Sequence, residues 1–93
     1  MAIQGFRGKL TGAVREGKGP KGFPAGIARR KLAAVEAAVV LDDLKAPPGN
    51  ELEASKRDRR GQHSIRINDQ WRVCFIWTET GPKDVEIVDC HKG

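Results

Sequence analysis

The regular alternation of apolar and polar residues between positions 62 and 77 constrains the fold more than any other feature of this chain. Residues 62–68 and 71–77 each repeat with a period of two, which is typical of a β-strand with one buried face. The Asn-Asp-Gln sequence between them suits a short loop, because asparagine and aspartate tolerate turn dihedrals and can bond their own backbone. The pattern therefore predicts an antiparallel hairpin. Its buried face would carry Ile65, Ile67, Trp71, Val73, Phe75 and Trp77.

The opposite face of this hairpin is polar and carries Ser64, Arg66 and Arg72. The predicted pairing sets Arg66 directly against Arg72, and like charges in that position destabilise a sheet unless an anion lies over them. The pair therefore indicates a binding site for an anionic group. Two other interpretations stay open: the long side chains could splay into solvent, or Glu86 could neutralise one of them.

A third strand is predicted after a turn signalled by Thr80-Gly81-Pro82. The two-residue apolar period continues beyond this turn, and its apolar residues are expected to face the same core as the hairpin. The resulting register predicts that Cys90 lies beside Arg72 on the polar face. His91 would follow just past the strand, where the chain can curl onto the same surface.

The first half of the chain is predicted to be mostly helical. Residues 2–6 are short and apolar enough for a strand, and residues 9–16 suit a short helix. A longer helix is predicted over residues 24–44, because Pro24 suits a first helical position and Pro47-Pro48-Gly49 is a strong stop signal. Its apolar stripe consists of Ala28, Leu32, Val35 and Val39, widened by Ala38 and Leu41.

Helices first and a meander of strands afterwards predict an α+β fold, with two N-terminal helices packed on a small, mostly antiparallel sheet. A chain of 93 residues suffices for one modest core, so a single domain over residues 1–93 is expected. One face of the sheet would stay uncovered. That face is the one that carries the two arginines.

Charge and cysteine content restrict the partners and the compartment. The net charge of +5 favours an anionic partner such as nucleic acid or an acidic protein. No signal peptide or membrane span is evident, so no membrane association and a cytoplasmic location are expected. The two cysteines are expected to be thiols, and neither a metal site nor a cofactor is expected, because no Cys-x-x-Cys or His-x-x-x-His spacing occurs. A basic cluster directly before the hairpin would extend the positive surface for phosphates: Lys56, Arg57, Arg59 and Arg60.

The chain resembles the HigB branch of the RelE/ParE toxin superfamily, also called plasmid maintenance killer proteins, in the blocks PPGNELEASKRDRRGQHSIRINDQWRVCFIW and VEIVDCH, and more weakly in RRKLAAVEAAVVLDDL. The resemblance implies a RelE-like fold and a toxin that enters the ribosomal A site and cleaves the mRNA there without a metal ion. It also implies a helix-turn-helix antitoxin of the HigA kind. Operator DNA would be contacted only through that antitoxin.

The resemblance also implies roles for individual residues. Cleavage in this family is thought to use the ribose 2′-hydroxyl as nucleophile on the neighbouring phosphate, so the reaction needs a base, cations and an acid. Lys56 and Arg72 match the family's cationic positions, and Asp89 and His91 match its C-terminal pair. His91 is the leading acid or base, since imidazole serves both roles near neutral pH. RNA contacts are expected from Arg57, Arg59, Arg60, Arg66, Cys90 and Gln70, the last standing where relatives often have asparagine.

Two positions depart from the family pattern. Cys90 stands where the family has tyrosine, and Glu53 stands where some relatives place a catalytic histidine. Both departures predict slower cleavage. They leave two alternative functions open: a non-enzymatic inhibitor like the ParE toxins that bind gyrase, and a weakened toxin that acts mainly as a corepressor for its antitoxin.

Three further residues are expected to be structural before they are functional. His63 alternates with Ile65 toward the apolar face, so it is interpreted as a half-buried histidine with its hydrogen bonds satisfied. Trp71 and Trp77 belong to the same apolar face. They are therefore expected to be core residues before they are base-stacking platforms.

Overall fold

A computed structural model of the protein describes residues 3–46, 48–54 and 61–89. Within them the chain forms two α-helices, α1 (Lys9–Arg15) and α2 (Ala25–Ala37), and then short 3-10 turns at Leu41–Lys45 and Pro48–Asn50. The strands follow: β1 (Glu53–Ala54), β2 (Gln62–Arg66), β3 (Trp71–Thr78) and β4 (Gly81–Asp89). The predicted α+β class is confirmed.

The strands form one antiparallel sheet in the order β1-β2-β3-β4. At the outer edge of β4, Phe6 forms a single parallel bridge with Val85. Two backbone hydrogen bonds of 2.9 Å flank the bridge, from the Arg7 N–H to the Val85 carbonyl and from the Val85 N–H to the Gly5 carbonyl. The strand predicted over residues 2–6 is therefore reduced to a bridge in the described residues.

The core lies between the helices and one face of the sheet. Residues that alternate along the strands are fully buried there, among them Ile65, Val73, Phe75 and Val85. The helix α1 contacts β4 and α2 contacts β3. A buried hydroxyl also joins the layers, because Thr11 Oγ1 accepts a hydrogen bond of 2.8 Å from the backbone N–H of Ile87.

The end of α2 corrects the prediction of a helix that continues to position 44. The helix stops at Ala37, and Ala38 has an extended backbone with ψ 132°. Asp43 then starts a new turn, because its Oδ2 accepts hydrogen bonds from the N–H groups of Val39 and Val40 at 2.9 and 3.2 Å. A carboxylate that caps free N–H groups competes with the continuation of a helix. The proline stop signal therefore lies beyond the true end of the helix.

The early end of α2 changes only the last residue of its four-residue apolar stripe. Ala28, Leu32 and Val35 are buried as predicted, whereas Val39 is 63% exposed because it lies beyond the helix. None of the helices in the described ranges has the length and apolar character that a bilayer crossing requires.

The segment after the second proline is fastened to the helical layer by Asn50. This side chain is fully buried, and its Nδ2 donates to the carbonyl oxygens of Leu44 and Ala46, each at 3.2 Å. Lys31 Nζ, from α2, donates to the Asn50 Oδ1. These contacts fix the point at which the chain leaves the helices and enters the sheet.

Candidate functional site

The predicted cross-strand pair of arginines is present on the sheet face that points away from the helices. The register of β2 and β3 sets Arg66 opposite Arg72. Asn68 closes the turn that fixes this register, because its Oδ1 accepts hydrogen bonds from the N–H groups of Gln70 and Trp71 at 2.9 and 2.8 Å. The predicted hairpin and its arginine pair are therefore confirmed.

Arg72 is the better-anchored of the two arginines, with a side chain that is only 14% exposed. Its Nε donates to Ser64 Oγ at 2.8 Å, and its Nη2 donates to the carbonyl oxygens of Ser64 and Glu51 at 3.1 and 2.5 Å. The carboxylate of Glu53 lies 3.8 Å from Nη2. Because the guanidinium is planar and carries five N–H donors, these contacts set the plane in which it can meet a phosphate.

Arg66 is more exposed, at 33%, and is paired with two carboxylates. Its Nε lies 3.1 Å from Glu51 Oε2, and its Nη2 donates to Asp69 Oδ1 in the turn. With Glu53 beside Arg72, three carboxylates neutralise the arginine pair, and Glu86 is not among them. The continuous positive surface predicted from sequence is therefore screened on this face, and an anionic ligand has to compete with these carboxylates.

Sequence reasoning missed Glu51, which contacts both arginines. Its carbonyl accepts from Arg72 and its carboxylate pairs with Arg66, while its backbone has φ 45°. Residues other than glycine rarely adopt this left-handed conformation, and they keep it only where the surroundings impose it. The buried Asn50 supplies that constraint, because it anchors the preceding residue to the helical layer. A glutamate in the sequence does not indicate a left-handed backbone conformation. The Gly-Asn pair that precedes it is the sequence feature that suggests a turn at this place.

The register from which Cys90 is predicted to lie beside Arg72 is corrected along the described part of β4, and Cys90 itself lies outside the described residues. Val88 is the residue opposite Arg72, and Ile87 lies opposite Val73. The predicted register differs from this one by two residues along β4. A slip of two residues leaves every side chain on its original face, so apolar alternation cannot detect it.

Gln70 and Asp89, two residues with separately predicted roles, form a pair at the turn end of the hairpin that the sequence did not predict. Gln70 Nε2 donates to Asp89 Oδ2 at 3.0 Å. Asp89 lies opposite Trp71 across β3 and β4, so the two side chains share a face. That face is the core-facing one, and Asp89 is exposed where the sheet ends. Arg66 therefore lies next to Arg72, and Gln70 lies next to Asp89. The side chains of Arg72 and Asp89 lie on opposite faces of the sheet.

A cleft of about 260 Å³ opens next to Gln70, between the loop before α2 and the hairpin turn. The rings of Phe23 and Trp71 lie in it edge to face, with centroids 5.0 Å apart and planes at 79°. A second cleft, of about 190 Å³, lies between Phe6 and α2 and takes no lining residue from the strands. Of these two clefts, the first adjoins predicted site residues within the described part of the chain.

The remaining predicted site residues lie outside the described part of the chain. The described part of the site contributes cations, carboxylates and an amide, and the predicted acid or base, His91, is not among the described residues. Within residues 3–46, 48–54 and 61–89, no group of three His, Cys, Asp or Glu side chains is arranged to hold a metal ion. The predicted residues outside these ranges are Lys56, Arg57, Arg59, Arg60, Cys90 and His91.

The residues interpreted as structural behave as predicted. His63 is half-buried, its Nδ1 lies 3.1 Å from the Gly61 carbonyl oxygen, and its ring stacks on Phe75 with centroids 6.3 Å apart. Trp71 and Trp77 are also half-buried and pack against the core.

Comparison with known proteins gives concordant matches. A family model described as HigB-like toxin, the RelE-like toxin of type II toxin-antitoxin system HigB, matches residues 21–91. Toxin HigB-1 of Vibrio cholerae serotype O1 is 42% identical over 50 residues, which cover 54% of this chain and 53% of that protein. An uncharacterized protein of Haemophilus influenzae is 35% identical over 49 residues, which cover 53% of this chain and 48% of that protein. The chain spans about half the length of the curated relatives it matches.

Proposed function

The chain belongs to the HigB-like toxins of type II toxin-antitoxin systems, and from this premise we propose that it is a RelE-like toxin that cleaves mRNA on the ribosome. The observation that carries the proposal is the anchoring of Arg72 by Ser64 and the Glu51 carbonyl, on the sheet face away from the helices. A guanidinium whose plane is fixed by these contacts is oriented in advance for contact with a phosphate.

The proposed reaction is an internal transfer on the RNA backbone. The 2′-oxygen attacks the adjacent phosphorus, a 2′-O–P bond forms, and the bond from phosphorus to the 5′-oxygen breaks, which leaves a cyclic phosphate and a 5′-hydroxyl. Arg72 and Lys56 stabilise the negative charge that builds up on the phosphate oxygens. His91 acts as the acid or base that moves the proton, and Asp89 completes the C-terminal pair.

The ion pair between Arg72 and Glu53 supports an exchange of anions at this site. At 3.8 Å it is the longest of the Arg72 contacts, and the Glu53 side chain is 67% exposed. A contact of this length to a carboxylate that is mostly exposed is weak, because water screens the charge of the carboxylate. A phosphate can therefore replace Glu53 at the guanidinium while the Ser64 and Glu51 contacts persist.

The proposed partners follow from the same chemistry. The chain offers one acid or base and several cations, so ribosomal positioning of the RNA is expected to supply the remaining catalysis. We propose the ribosomal A site and its mRNA as the substrate complex, in the cytoplasm, and a helix-turn-helix antitoxin of the HigA kind as the inhibitor. Operator DNA is contacted through that antitoxin.

Primer extension on a reporter mRNA tests the proposal. The purified chain is incubated with programmed ribosomes or with the same mRNA alone, and breaks within translated codons are expected only with ribosomes. A gyrase inhibitor would leave the mRNA intact and cause DNA damage in cells, and a corepressor would leave it intact and strengthen operator binding by the antitoxin. Rapid specific cleavage without ribosomes would contradict the proposed dependence.

A further inference from the structure

The cleft beside Gln70 has no part in the phosphate chemistry of Arg72, yet it combines aromatic surface with a positive charge. We propose that it binds one unpaired base of single-stranded RNA, with a neighbouring phosphate at Lys21. The inference rests on the proposed function, because it describes how the same RNA continues past the cleaved phosphate. It adds a binding subsite that lies at the other side of the hairpin turn from the arginine pair.

The aromatic part of the cleft suits a nucleobase. Phe23 and Trp71 both pack against the core, but each stays half-buried and lines the cleft. Unpaired RNA bases commonly stack on aromatic side chains, and such stacking tolerates any base. The volume of about 260 Å³ lies below the roughly 300 Å³ at which pockets for drug-sized ligands begin, so one base is the matching occupant.

The loop before α2 holds a lysine at the rim of this cleft. The Phe23 N–H donates to the Pro20 carbonyl oxygen at 3.0 Å, which closes a four-residue turn. Gly22, the third residue of the turn, has φ 81°, a conformation that glycine adopts without steric cost. Lys21 is therefore fixed at the exposed second position of the turn, and it lines the cleft. An ammonium group there can neutralise a phosphate next to the stacked base.

The cleft is continuous with the candidate site through a single residue. Gln70 lines the cleft and donates a hydrogen bond to Asp89. The next residue, Trp71, lines the cleft, and the one after it is Arg72. An RNA strand can therefore pass from the arginine face around the hairpin turn into the cleft. An acidic peptide would use the lysine but has no need of two half-buried aromatic rings, which favours RNA.

Binding of a short single-stranded RNA with 2′-O-methyl riboses tests the charge at the rim. The methyl group blocks attack by the 2′-oxygen, so binding is measured without cleavage, by fluorescence anisotropy of a labelled strand. We expect Lys21→Gln to weaken binding about fivefold and to lower the slope of log affinity against log salt by roughly 0.7, the value for one phosphate contact on a single strand. Lys18→Gln is the matched control, since Lys18 belongs to the same loop but does not line the cleft.

A second comparison tests the base. Phe23→Leu keeps apolar bulk and removes the ring, and we expect about tenfold weaker binding of ordinary RNA, with no change for an abasic strand of equal length. The fluorescence of a Trp77→Phe chain, in which Trp71 is the remaining tryptophan, gives a second readout: it should be quenched by ordinary RNA and not by the abasic strand. The inference would be overturned if Lys21→Gln and Lys18→Gln weakened RNA binding equally. It would also be overturned if the ordinary and abasic strands quenched the fluorescence equally, or if an acidic peptide quenched it and RNA did not.

Cleavage on programmed ribosomes separates this inference from the proposed function. If the chain cuts mRNA and the two lysine variants bind RNA equally, the cleft assignment is wrong and the nuclease assignment stands. If the chain cuts no mRNA and the lysine and phenylalanine effects on binding are still found, the cleft assignment stands and the nuclease assignment is wrong.

Discussion

Asn50 and Glu51 are consecutive in the chain, and each belongs to a different polar cluster. The Asn50 cluster lies beneath the helices, and the Arg72 cluster, to which Glu51 belongs, lies on the open face of the sheet. Asn50 is fully buried and joins Lys31 to the carbonyls of Leu44 and Ala46. The next residue begins the second cluster, because the Glu51 carbonyl accepts from Arg72. The first cluster closes the fold, and the second orients a cation toward solvent.

The difference in burial decides what each cluster contributes. Among the described residues, no buried side-chain nitrogen or oxygen lacks a hydrogen-bond partner. Removing a buried partner leaves other polar groups unsatisfied, whereas groups at the surface regain water. The Asn50 cluster is therefore expected to carry stability and the Arg72 cluster function, although both consist of the same kinds of contact.

Asn50→Ala is expected to give the largest loss of stability. It removes three hydrogen bonds and leaves two buried or half-buried carbonyls and one ammonium without this partner, so we expect the free energy of unfolding to fall by about 3 kcal/mol. Urea unfolding measures the change. Gln4→Ala, which truncates an exposed amide, serves as the control and should cost less than about 0.5 kcal/mol. A loss below about 1 kcal/mol for Asn50→Ala would show that this cluster does not hold the fold.

Cys90→Tyr sharpens the functional side of the comparison. A tyrosine at this position would offer a ring for an unstacked base, a contact worth about 1–3 kcal/mol, and a phenol that can bond the phosphate. We therefore expect faster single-turnover cleavage on programmed ribosomes for Cys90→Tyr and a nearly unchanged rate for Cys90→Ser. Should Cys90→Ser abolish cleavage while Cys90→Tyr fails to restore it, the thiol is catalytic and the role proposed for His91 is withdrawn.

The backbone of Glu51 provides a finer test of how the two clusters are joined. Glycine adopts φ near 45° without the steric cost that a Cβ imposes, about 1–2 kcal/mol. Both Glu51→Gly and Glu51→Ala lose the ion pair with Arg66, so comparing them isolates the backbone. We expect Glu51→Gly to be more stable to urea than Glu51→Ala by about 1 kcal/mol. Equal stabilities would mean that the turn relaxes when the ion pair is removed.

Asp43 is expected to give the smallest effect, and one that depends on pH. The N–H groups of Val39 and Val40 hold the pKa of its carboxyl below the ordinary value of 3.8. A carboxyl whose pKa is lowered by folding stabilises the folded state above its unfolded pKa, and that contribution is lost as pH falls through the folded pKa. The advantage of the native chain over Asp43→Asn in urea unfolding should therefore shrink as pH is lowered from neutral to below 3.8. An advantage that is independent of pH would contradict this role.

Local patterns predicted the hairpin well, because alternation and the Asn-Asp-Gln turn act over a few residues. They set Arg66 against Arg72, a register that the structure confirms. The position of Val88 opposite Arg72 could not be predicted in this way, since a two-residue slip preserves both faces.

Contacts between distant segments were also beyond sequence reasoning. Glu51 meets Arg72 across 21 positions of the chain, and Lys31 meets Asn50 across 19. Neither of these two contacts corresponds to a periodic pattern in the sequence. The end of α2 was misplaced for a related reason, because the cap supplied by Asp43 outweighs the apolar stripe and precedes the prolines.

The central claim is that the Asn50 cluster carries stability and the Arg72 cluster carries function. Its most direct test is the single-turnover rate of mRNA cleavage on programmed ribosomes. The rate is measured for Arg72→Ala and for Asn50→Ala at equal concentrations of folded protein. Arg72→Ala should lower the rate by about 100-fold or more, because it removes an oriented donor for the transition-state charge. It should lower the free energy of unfolding by about 1–2 kcal/mol, because it removes hydrogen bonds to Ser64 and Glu51 from a side chain that is 14% exposed, and this loss is smaller than the one expected for Asn50→Ala. Asn50→Ala should cleave at nearly the native rate once corrected for its folded fraction. A native rate for Arg72→Ala, or an equal loss in both variants, would contradict the division between the two clusters.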